Sequence, residues 1–182
     1  SLREKADEVV KRIKERLDRL EDKSREVVKD SRRKLREWYE KSKRAVEDIE
    51  TKLDELRKDL TDKKAEEILR KVKEDVKRVH EENERILREL KKITDKLHEE
   101  NKKIIDDVKR KVEDVLRRVR DVDKDMVEEL IRELEKIVTD VAKKVEDTIE
   151  ESRKINEEVA KRVEDTIKRL EDILRDVARR VK

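Results

Sequence analysis

Apolar residues recur every 18 positions through three consecutive stretches of this chain, and that interval limits what it can fold into. The first stretch reads Leu2, Ala6, Val9, Ile13, Leu17, Leu20, Ser24, Val27, Ser31, Leu35, Trp38, Ser42, Ala45, Ile49, Leu53, Leu56, Leu60, in steps of four and three. Eighteen residues in five turns is the 3.6-residue pitch of an unbent α-helix. A strict seven-residue repeat imposes a left-handed supercoil and an eleven-residue repeat a right-handed one. The pattern here calls for neither, so it predicts long, straight helices.

Two further stretches carry the same stripe. The second runs Ala65, Ile68, Val72, Val76, Val79, Asn83, Ile86, Leu90, Thr94, Leu97, Asn101, Ile104, Val108, Val112, Val115, Val119. The third runs Val127, Leu130, Leu134, Ile137, Val141, Val145, Thr148, Ser152, Ile155, Val159, Val163, Thr166, Leu170, Ile173, Val177, Val181. Flanking columns widen each stripe at the same interval: Val10, Val28 and Val46; Leu69, Leu87 and Ile105; Ile131, Ile149 and Ile167. A stripe that wide suits a helix packed on more than one neighbour. Whole blocks also repeat. His80-Glu81-Glu82-Asn83 returns as His98-Glu99-Glu100-Asn101, and the nine residues from Val141 return from Val159 with one change.

The phase breaks twice, at Thr61-Asp62-Lys63-Lys64 and at 120–126. Thr61 or Asp62 is a natural N-cap. Asp125 followed by Glu128 reads as a capping box, and Ser1 with Glu4 gives the same signature at the start. Short connections make antiparallel neighbours. The expected fold is therefore all-α: one domain over 1–182, a long, straight, antiparallel (up-down-up) three-helix bundle with helices near 2–60, 63–120 and 125–181. Each helix would be on the order of 85 Å long. In the implied register Ser24 meets Asn101, Ser42 meets Asn83, and Ser31, Thr94 and Ser152 share a level, with Thr148 and Thr166 about a turn from the first two pairs.

Composition explains how this can fold. Charged residues are 59% of the chain and hydrophobic ones 32%, a balance that alone resembles disorder. But 55 basic residues face 52 acidic ones, and the apolar residues keep helical spacing. Gly and Pro, which most disfavour helix interiors, are absent. Without Cys there are no disulfides. No targeting segment and no membrane span is read. The interspersed charges do not form a nucleic-acid patch.

Candidate chemistry is sparse. The Ser, Thr and Asn of the stripes are expected to hydrogen-bond across helices and fix register, as a buried Asn does in coiled coils. His80 and His98 are the only histidines, and 18 residues of helix hold them about 27 Å apart, too far to share an ion. Trp38 and Tyr39 are the only aromatics; Trp38 lies on the stripe and is expected to fill core. Glu15–Arg19, Glu21–Arg25 and Glu40–Arg44 form i,i+4 pairs in the favourable order. No catalytic, cofactor-binding or metal residue is expected.

The 18-residue stripe, the near-verbatim blocks and the Lys/Glu/Arg/Asp exterior together resemble de novo designed proteins, specifically parametrically generated, untwisted three-helix bundles. The resemblance covers the whole chain. It implies an idealised scaffold, highly stable and monomeric, with no natural substrate, cofactor, nucleic-acid or membrane partner; presenting a helix face to a protein or lipid is the alternative. Unfolding near or above about 90 °C is expected of that class.

Overall fold

The computed structural model describes residues 2–59, 62–119 and 121–181, with the side chains of Leu2 and Val181 excepted. It is an all-α three-helix bundle in which all three helices pack on one another. Helix α1 spans Leu2–Lys58, α2 spans Lys63–Val119 and α3 spans Lys124–Val181. Each end falls within two residues of the boundary read from the stripe, because the breaks in phase are where an apolar face can no longer follow the helix.

The termini are satisfied locally. Asp62 caps α2: its Oδ1 accepts the Lys64 N–H at 3.2 Å, and its carbonyl accepts the Glu66 N–H at 3.2 Å. Thr61, the other candidate cap, lies outside the described residues, as do Ser1, Leu60 and Arg120. Helix α3 begins one residue earlier than expected. The Asp123 carbonyl accepts the Val127 N–H at 3.0 Å, so Asp123 rather than Asp125 holds the cap position. The reason is burial. Val127 is 4% exposed, and a cap at Asp125 would have left its N–H among the orphan donors of the first turn. Asp125 instead sits inside that turn, while Arg57 and Lys58, Arg117 and Arg118, and Arg179 and Arg180 occupy the last turns. Each sign opposes the helix dipole at its end. No described residue has a positive φ, so none of them calls for glycine.

Contacts group the chain into two compact units, each drawing on all three helices: Ser1–Asp30 with Ile93–Lys154, and Ser31–Lys92 with Ile155–Lys182. In the first unit, Val10, Ile13, Leu17 and Leu20 pack with Ile105, Val108 and Val112 and with Leu134, Val138, Val141 and Val145. Ala6, Val119 and Val127 form a smaller cluster there. The start of α1 thus meets the end of α2 and the start of α3. In the second unit, Val46, Ile49 and Leu53 pack with Leu69, Val76 and Val79 and with Leu170 and Val177. Leu87, Leu90, Val159 and Val163 form a second cluster there, joined by Leu35 and Trp38. In both units α2 runs against α1 and α3, the up-down-up order.

Burial refines the stripe. In α1 and α2 the columns read as flanks are the deeper ones: Val10, Val28 and Val46 are buried while Val9, Val27 and Ala45 are half-buried, and Leu69, Leu87 and Ile105 are buried while Ile68, Ile86 and Ile104 are half-buried. A helix touching two neighbours turns the middle of its apolar arc inward, and that middle lies toward the flanking column.

Ion pairs on the rim follow the same register. Lys109 lies 2.9 Å from Asp18 and 3.0 Å from Glu21, linking α2 to α1. The pair recurs two repeats on, where Lys73 meets Asp54. Its hydrogen bond with Lys109 holds the Glu21 carboxyl below the ordinary 4.5, against a smaller opposing effect of burial. Hydrogen bonds to Asp18 and Glu21 raise Lys109. The Glu21 contribution is thus complete above pH 4.5 and lost as pH falls through its lowered folded value. That of Lys109 is complete below its ordinary 10.5 and lost as pH rises through the raised value. Rim pairs are worth only about 0.2–1 kcal/mol. We expect carbon-13 NMR to show Glu21 titrating below 4.5 in the parent and returning toward 4.5 in Lys109→Met; no movement would remove the assigned cause.

Candidate functional site

The polar residues of the core occupy the same 18-residue columns as the aliphatic ones. In α1, Ser24 and Ser42 stand in the column that begins with Ala6, and Ser31 stands between Ile13 and Ile49. In α2, Asn83 and Asn101 lie between Ala65 and Val119, and Thr94 between Val76 and Val112. In α3, Ser152 lies between Leu134 and Leu170. All of these residues are buried. Polar residues have been set into an aliphatic lattice without disturbing its spacing.

Their hydrogen bonds match the register. Asn83 Nδ2 donates to Ser42 Oγ at 3.0 Å, and Asn101 Nδ2 donates to Ser24 Oγ at 3.3 Å. The two pairs are one motif moved by one repeat. The Thr148 and Thr166 hydroxyls donate to carbonyls of their own helix, those of Lys144 and Arg162. Ser31 makes a bond the stripe did not foretell: its hydroxyl donates to Asn156 Oδ1 at 3.1 Å. Asn156 is 5% exposed and absent from the stripe as read. Its column, Val138, Asn156 and Leu174, was the available signal; Val138 is buried and Leu174 packs against the core.

The histidines extend these layers. His98 Nδ1 is 3.2 Å from Ser24 Oγ. Ser24 already accepts from Asn101, so its own proton goes to Nδ1 when the imidazole is neutral and carries hydrogen on Nε2. His80, one repeat back, turns its Nε2 to Glu84 at 3.0 Å and buries Nδ1 without a partner. Neither Asn83 Oδ1 nor Asn101 Oδ1 has a hydrogen-bond partner. Each side-chain amide thus uses its donor end and leaves its acceptor end unmatched.

Trp38 is half-buried against the Leu87 and Val163 cluster, the core-filling place expected of it. Among the described residues the exposed large apolar side chains fall one to a helix: Tyr39 on α1, Ile93 on α2 and Met126 at the start of α3. Ile93 was not foreseen. It lies one residue before a stripe position, where periodicity alone does not separate rim from solvent. Among the described residues no three His, Cys, Asp or Glu group as metal ligands, and no helix is long and apolar enough to cross a membrane.

The arrangement can hold the helices in register, and beside the Ser24–His98 contact the space open to the centre of a water is about 10 Å³. No protein-family model matches the chain, and comparison with curated proteins and with solved structures finds no match.

Proposed function

We propose that the chain is a structural scaffold: a designed, idealised three-helix bundle that works as a monomer and acts on no substrate. One observation carries the reading. The same buried columns return at 18-residue intervals on all three helices, with polar residues substituted into the lattice in hydrogen-bonded pairs. A chain selected for a site departs from regularity where the site is, because catalytic groups need strain, unpaired charge or a shaped cavity. Here Asn83 and Asn101 each donate across the core to a serine of the neighbouring helix. The alternative, a helix face offered to a protein or lipid, would want a contiguous apolar patch; among the described residues the exposed large apolar ones are one per helix.

Two measurements test the proposal. Far-ultraviolet circular dichroism should show helix retained to about 90 °C, and cooperative melting below about 60 °C would overturn the idealised reading. Sedimentation velocity with and without anionic vesicles should show a single 22.1 kDa species that ignores the vesicles. Co-sedimentation would favour a lipid-binding helix face, and a dimer would refute the monomer.

A further inference from the structure

The layer around Ser24 and Asn101 differs from its repeat copy in two of the residues that surround it. Within the unit formed by Ser1–Asp30 and Ile93–Lys154, a small, partly open cavity is lined by the polar residues Ser24, Thr94, His98, Asn101, Thr148 and Ser152 and by four aliphatic ones. The space open to the centre of a water is about 10 Å³. Its origin lies in the repeat. Ser152 stands where Leu134 and Leu170 stand one repeat either side, and serine has two side-chain atoms beyond Cα where leucine has four. Thr94 stands where Val76 and Val112 stand, so a hydroxyl replaces a methyl at nearly equal volume. Space and polarity therefore arrive together.

Asn101 supplies the demand. It is 3% exposed, its Nδ2 is engaged by Ser24, and its Oδ1 has no partner. We propose that this cavity is a binding site for one water molecule, held by a hydrogen bond that the water donates to Asn101 Oδ1. A cavity of roughly 10–15 Å³ by this measure holds one water, and a buried water makes about three hydrogen bonds. Ser152, Thr94 and Thr148 line the same space, and the Thr148 hydroxyl, whose proton goes to the Lys144 carbonyl, keeps lone pairs that can accept from the water. An apolar cavity of similar size would stay dry. The copy one repeat away is an internal control. There Val76 and Leu170, both fully buried, replace Thr94 and Ser152, so two of the polar positions around the amide are aliphatic.

The site is tested by a crystal structure of the parent at high resolution together with oxygen-17 relaxation dispersion, which counts long-lived interior waters. The expected result is density within about 3.2 Å of Asn101 Oδ1. Refilling the slot in Ser152→Leu should remove that density and lower the count of long-lived waters by one. Ser152→Val, a smaller filler, should do the same and keeps the test independent of whether leucine fits. Absence of density beside Asn101 in the parent, or an unchanged count in a folded filled variant, would overturn the site.

Discussion

Leu17→Ala should cost about 2–5 kcal/mol of stability, and Leu53→Ala, two repeats on in the same column, should cost about the same. Both leucines are fully buried, Leu17 in the cluster with Val112 and Leu134 and Leu53 in the cluster with Val76 and Leu170. Truncation removes the transfer energy of three carbons and leaves a cavity that long packed helices cannot easily collapse. Leu35, the middle member of the column, is only half-buried and should cost visibly less. Guanidinium unfolding gives the comparison, because the parent is expected to outlast heat. With a slope of roughly 2–6 kcal/mol per molar, the two end variants should move the midpoint down by about 0.5–2 M and by similar amounts. A Leu35→Ala loss equal to theirs would show that the column does not grade stability as its burial says.

The second large effect concerns the polar pair Ser42 and Asn83. Ser42→Ala alone removes the acceptor of the Asn83 amide, whose carbonyl end is already unmatched. A buried donor left unpaired costs about 1–3 kcal/mol. The double variant Ser42→Ala with Asn83→Val should reverse that loss and stabilise the protein above the parent by up to about 1–3 kcal/mol, because it also removes the orphaned carbonyl. The molecule supplies its own precedent: Ala6 and Val119 occupy those same columns and pack together with Val127. The two substitutions should therefore be strongly non-additive, with a coupling of about 0.5–3 kcal/mol. A double variant less stable than Ser42→Ala would mean that the pair contributes net stability and not chiefly register.

How far the sequence reached is clear from particular residues. Helix number, order and ends were legible because period and phase are strong signals when a stripe runs unbroken through more than fifty residues. The pairs Ser24 with Asn101 and Ser42 with Asn83 were legible because antiparallel register follows from two short loops. The choice between Val9 and Val10, or between Ile86 and Leu87, was not: both columns are apolar, and which one faces inward depends on where the second neighbour sits. Asp123 and Asp125 are equally good caps by residue type, and only the need to pair the Val127 N–H separates them. Asn156 was missed because a lone polar residue looks like surface until its column is followed to Val138 and Leu174. The water site was beyond reach, since it depends on two missing methyl groups beside an amide whose orientation is a three-dimensional fact.

An 18-residue period should encode helices without superhelical twist. A crystal structure refined well enough to trace the axis of each helix tests it most directly. Helices α1, α2 and α3 should each hold 3.6 residues per turn about an unbent axis, with the columns at Leu17 and Leu134 running parallel to it. A left-handed supercoil of about 140–210 Å pitch, the signature of heptad packing, would contradict it.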